Sequence, residues 1–132
     1  MVKIIHPEEL GAPKGYSHGV LAPAGARLLF VAGQVGWTRD QRMVSESFVE
    51  QFGQALRNVV AVVTEAGGSV EDIGRLTIYV RDRHEYLADL ARLGEIYREI
   101  MGRHFPAMTL VEVTALLEPG AKIEIEATAA LP

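Results

Sequence analysis

The segment Lys122-Ile123-Glu124-Ile125-Glu126-Ala127 alternates charged and apolar residues without a break. As a strand it puts Ile123, Ile125 and Ala127 on one face and Lys122, Glu124 and Glu126 on the other. Two readings of the charged face stand. One is the solvated side of an antiparallel strand. The other packs that side against a second subunit, which desolvates a carboxylate, raises its proton affinity and suits Glu124 to general acid or base work. Other chemistry-bearing groups are few. His6, His18, His84 and His104 are scattered, and none forms an HxxxH or HxH pair with a nearby carboxylate, so no metal site is expected. There is no G-x-S-x-G, P-loop or dinucleotide fingerprint, and the glycines of Gly33-Gln34-Val35-Gly36 are wrongly spaced for phosphate. The absence of cysteine removes disulfides, thiolate zinc sites, iron–sulfur ligation and Cys nucleophiles together.

The elements that must position these groups follow from periodicity. Residues 2–6 read as a short strand closed by Pro7. Residues 19–24 and 27–35 read as two strands of a hairpin turning at Pro23-Ala24-Gly25. Leu28-Leu29-Phe30-Val31-Ala32 is apolar at every position, the pattern of a strand buried on both faces. After a polar loop holding Trp37, Phe48, Phe52, Ala55, Leu56, Val59 and Val63 fall on one helical face, with Ser47 and Glu50 as a capping box and Gly67-Gly68 as the stop. A strand over 73–81 follows. Then a single helix runs over 83–101, opened by Asp82 with Glu85 and closed by Gly102. Strands over 108–117 and 122–129 complete the chain, joined at Pro119-Gly120.

This order predicts one α+β domain, 1–132, with two helices on one face of a sheet. The other face has no helix to cover it, yet strands 27–35 and 108–117 are too apolar to meet water. Self-association through that face is the economical answer. A net charge of −4 and a pI near 5.5 speak against a nucleic-acid partner. No signal peptide and no apolar run long enough to cross a bilayer are visible, so no membrane association and a cytoplasmic location are expected.

Gly15-Tyr16-Ser17, Leu29-Phe30-Val31-Ala32-Gly33-Gln34-Val35, Val70-Glu71-Asp72-Ile73, Phe105-Pro106-Ala107 followed by Val111-Glu112-Val113, and Ile123-Glu124-Ile125-Glu126-Ala127 together resemble the Rid family, also called YjgF-like. The resemblance covers nearly the whole chain in order. It implies a chorismate-mutase-like fold, a homotrimer with small-molecule clefts between subunits, and hydrolysis of reactive enamines or imines such as 2-aminoacrylate, without a metal or organic cofactor. By position it implies Tyr16 and Glu124 as catalytic groups and places Gly33 in the cleft wall, with the backbone of Thr109 to Val111 orienting the ligand. The arginine that holds the substrate carboxylate in this family falls at Met108, and an asparagine of deaminase members falls at Gly94. A thioether cannot make the bidentate pair of a guanidinium with a carboxylate. Met108 therefore points to a ligand larger or less charged than 2-aminoacrylate, with Phe105, Trp37, Tyr16 and His104 as candidate wall residues, each equally open to a packing role. Arg103 and Arg27 are the cations considered as replacements.

Two functional classes follow: a Rid-like hydrolase of a C=N metabolite, and a trimeric small-molecule binding or regulatory protein without turnover. A ribonuclease reading is disfavoured by the acidic balance and the lack of a basic stripe.

Overall fold

The computed structural model describes all 132 residues. Its elements are β1 (Lys3–Ile5), β2 (Gly19–Leu21), β3 (Arg27–Val35), α1 (Phe48–Glu65), β4 (Ile73–Val80), α2 (Arg83–Leu87), α3 (Leu90–Met101), β5 (Ala107–Glu112) and β6 (Ile123–Leu131). A four-stranded sheet runs β3-β6-β4-β5, and β1 and β2 form a separate antiparallel pair. β4 and β5 are parallel, so the α2–α3 segment provides the long crossover that such a pair requires.

α1 forms where the apolar period predicts it. Ser47 accepts a hydrogen bond from the Glu50 amide at 3.2 Å, one half of the capping box. The other half is rerouted. Glu50 accepts from the Ser45 hydroxyl at 2.6 Å, and the Ser47 amide donates to that same hydroxyl at 3.0 Å. Ala55, Leu56, Val59 and Val63 are fully buried against Leu76, Ile78, Val80, Ile123 and Ile125 of the sheet. Truncating a side chain such as Leu56 to alanine would cost about 2–5 kcal/mol.

Three expectations are corrected. β2 pairs with β1 and β3 with β6, so no hairpin joins β2 to β3. The helix over 83–101 is two helices: Asp89 leaves helical geometry, and its carboxylate accepts from the Arg92 amide at 3.2 Å to cap α3. β5 stops at Glu112 instead of continuing to 117. The Glu112 carboxylate turns to accept from the Arg83 amide at 3.0 Å, and Leu117 lies 90% exposed in the loop beyond. β3 is covered on one face within the chain, where Val31 is buried; Leu28 is 60% and Phe30 75% exposed on the side away from the helices, the face for which self-association is expected.

Candidate functional site

Strand alternation sorts the candidate residues onto two faces. On β6, Ile123, Ile125 and Ala127 enter the core, and Glu124 and Glu126 stand half-buried on the helix-free face. In register, Val111 of β5, Tyr79 of β4 and Glu124 form one row across the sheet, and Thr109, Thr77 and Glu126 form the next.

β3 meets this pair through an irregularity between Val31 and Gln34 that contains Gly33. A Cβ at Gly33 would overlap the Glu124 carboxylate, standing 2.9 Å from its Cδ and 3.0 Å from its Cγ. The glycine is required by close approach. The two acids differ in their partners. Glu126 accepts a 2.5 Å hydrogen bond from the Tyr79 hydroxyl, which raises the Tyr79 pKa, and the charges of Glu126 and Glu124 push it the same way. Glu124 has no hydrogen-bond or ion-pair partner within the chain, and its carboxylate opens on a groove of about 360 Å³ that Val113, Leu116 and Leu117 complete.

The entry to β6 is held from the core. Gln51 of α1 is 1% exposed, and its amide donates to the carbonyls of Ser45 at 2.9 Å and Gly120 at 3.0 Å. Its oxygen accepts from the Lys122 amide at 2.9 Å. A buried side chain with every polar atom satisfied thus fixes the strand two residues before Glu124.

Met108 is on the other side. It pairs in register with buried Leu76, packs against the core, and lines a cavity of about 340 Å³ between the sheet and α3. Phe105 lines the same cavity, stacked on Tyr97 with ring centroids 5.2 Å apart. Burial pushes the Tyr97 and Tyr86 phenols up from their ordinary value. Two cations reach this cavity, Lys14 and Arg98. Arg98 was missed in the sequence, where the only signal is a glycine inside a helix, Gly94, with an arginine one turn later.

Tyr16 sits at the sheet edge. Ser17 bridges to Ala107, its amide donates to the Pro106 carbonyl at 3.1 Å, and its hydroxyl donates to the Phe105 carbonyl. Tyr16 thereby faces a groove shared with Phe105, His104 and Arg103. Trp37 lines neither the Glu124 groove nor the Met108 cavity. It bridges to Met43, and Asn58 donates to its carbonyl at 2.9 Å. Arg27 is spent on the Pro132 carbonyl at the far end of β3. The candidates therefore fall into three places: Glu124, Gly33, Thr109 and Val111 on the open face, Met108 and Phe105 beneath it, and Tyr16 at the edge. No helix is long and apolar enough to cross a membrane.

Against known proteins, the family profile described as endoribonuclease L-PSP matches residues 7–131. A RutC family protein of Pyrococcus horikoshii is 34% identical over 131 residues, covering 98% of each chain. The human 2-iminobutanoate/2-iminopropanoate deaminase is 32% identical over 120 residues, 90% of this chain and 82% of its own. A conserved Rid family protein of unknown function from Yersinia pestis superimposes with a TM-score of 0.85 at 34% identity, over 98% of both chains.

Proposed function

The chain belongs to the endoribonuclease L-PSP family, that of the Rid or YjgF-like proteins, and from that premise we propose that it is a cytoplasmic Rid-type deaminase. It hydrolyses an enamine, imine or related C=N metabolite other than 2-aminoacrylate. The observation that carries this reading is the state of Glu124: half-buried, unpaired, and given room by Gly33, while its neighbour Glu126 is tied to Tyr79. A carboxylate so placed is free to take a proton from water. The hydroxide so formed adds to the imine carbon as Glu124 returns that proton to nitrogen; Glu124 then moves the carbinolamine hydroxyl proton to nitrogen, the C–N bond breaks, and a carbonyl compound and ammonia leave. Tyr16, the Gly33 backbone and the Thr109–Val111 segment orient the ligand.

The reading also requires assembly. Glu124 and Met108 lie on opposite faces of one sheet, so a single chain cannot present both to one small molecule. Leu28 and Phe30 leave an apolar patch on the open face that a second copy would cover. We therefore propose a homotrimer associating through this face, with ligand clefts between subunits. At position 108, loss of a guanidinium clamp would cost about two to four powers of ten on a small acid, which argues against 2-aminoacrylate.

The test is turnover of 2-imino acids generated in place by an amino-acid oxidase, followed as 2-oxo acid and ammonia. Glu124→Gln is expected to lower kcat by about 10²–10⁴-fold. Intact turnover in that variant would sink the mechanism. The thioether at Met108 favours one second reading, a trimeric binding protein without turnover, which saturable ligand binding with no product would select.

A further inference from the structure

Position 108 carries no charge, but the cavity it lines does. α3 has glycine at position 94, in its interior, where glycine is a poor helix former. Helical side chains lean toward the N-terminus, so residue i+4 covers residue i. Arg98 accordingly lies over Gly94, where a Cβ would stand 3.2 Å from its Nη1 and 3.9 Å from its Cζ and Nη2. A Cβ at position 94 would press on the guanidinium, which would have to give by a few tenths of an ångström.

The same pair recurs on α1 with a different outcome. Arg57 lies over Gly53, but the close crossing of Ile96, 3.1 Å from a Cβ there, already explains that glycine. Arg57 also has an acid beside it, Glu99 at 3.9 Å. Arg98 has no acid within ion-pair distance, and neither has Lys14. Both line the Met108 cavity, which no Asp or Glu lines and whose remaining wall is aromatic and aliphatic. Its volume of about 340 Å³ falls in the range of small-molecule pockets.

We propose that Arg98, assisted by Lys14, is the carboxylate clamp of this chain, supplied from the helix side instead of from position 108. Its ligand is a 2-imino or 2-oxo acid with a branched aliphatic or aromatic side chain. The guanidinium takes the carboxylate bidentately, and the apolar body lies against Phe105, Tyr97 and Met108. The imino acid as substrate rests on the hydrolase reading above; the binding of the anion does not.

The experiment is calorimetric titration of the full chain, in its solution assembly, with 4-methyl-2-oxopentanoate and with 4-methyl-2-pentanone, the ketone in which methyl replaces the carboxylate. Arg98→Gln is expected to weaken the oxo acid about tenfold or more and to leave the ketone unchanged. Arg98→Lys is expected to fall between, since it keeps the charge and loses the fork. Arg57→Gln is expected to match the parent chain. Arg98 is exposed on its helix, so circular dichroism should find the variants folded. Equal affinity of Arg98→Gln and the parent for the oxo acid would overturn the proposal. So would an equal loss for acid and ketone, or no saturable oxo-acid binding by the parent up to about 10 mM. If the oxo acid binds through Arg98 and no imine is hydrolysed, the hydrolase reading falls and the clamp stands. If imines are hydrolysed equally with and without Arg98, the clamp falls and the hydrolase reading stands.

Discussion

On the open face of the sheet Glu124 and Glu126 stand beside Gly33 and Tyr79; beneath it Lys14 and Arg98 edge an aromatic cavity with no acid in its wall. The two sites are separated by one sheet and carry opposite charge. Side by side, Arg98 and Glu124 would pair, each spending on the other the charge a ligand needs. Strand alternation keeps them apart within a chain. A ligand that meets both must lie between two copies, which makes activity conditional on assembly.

Breaking the assembly is therefore the largest perturbation. Phe30→Asp puts a charge in the middle of the apolar patch, on a residue already 75% exposed in the isolated chain, so the fold should survive. The expected outcome is a monomer by light scattering and turnover reduced to background. A parent chain that is monomeric at micromolar concentration would mean that activity does not depend on assembly through this face. The next perturbation separates the two roles: Glu124→Gln should lose turnover while keeping the affinity for 4-methyl-2-oxopentanoate, and Arg98→Gln should weaken that affinity. A variant pair that moves both quantities together would mean that the two sites act as one.

Gly33→Ala sharpens the acid side. Its methyl would overlap the Glu124 carboxylate, and a misplacement of about 1 Å in a catalytic group costs roughly 10²-fold. Turnover should fall by about that factor, below the effect of removing the carboxylate, and oxo-acid affinity should hold. Full activity in Gly33→Ala would show that Glu124 need not stand where it does.

Local patterns in the sequence carried the fold further than they carried the site. The face of α1 from Phe48 to Val63 and the alternation of 123–127 are short-range signals, and both match the burial observed. Strand pairing is long-range, and Pro23-Ala24-Gly25 looks like a hairpin turn although Arg27 pairs with Leu131. The break at Asp89 escaped because Tyr86, Leu90, Leu93 and Tyr97 continue the same stripe across it, while the carboxylate that interrupts the helix looks like any surface acid. The resemblance assigns the candidate residues to a cleft between subunits without saying which face of the sheet each one takes; parity along β5 divides them, since Met108 and Val111 are three residues apart and face opposite ways. Gly94 is visible in the sequence, but Arg98 is hidden because its place over that glycine and beside the cavity that α3 closes appears only once the helix is packed on the sheet.

The smallest expected effect compares the tyrosines of the two faces. Tyr79 is raised mainly because its hydroxyl donates to Glu126, with burial and the two carboxylate charges adding to this. Tyr86 and Tyr97 are raised by burial alone, and the Tyr97 hydroxyl donates to the His104 carbonyl at 2.7 Å, a bond that only the neutral phenol makes. Each folded-state pKa lies above the unfolded value of about 10, so the folded form holds the proton longer. The stability these groups contribute is fully present below pH about 10 and is lost as pH rises through the folded values. Glu126→Gln removes the charge that Tyr79 faces. One phenol should then ionise closer to its ordinary value in an ultraviolet phenolate titration, while the other two stay raised. If all three move, the faces are coupled through the sheet; if none moves, the hydrogen bond to Glu126 is not what holds the Tyr79 proton.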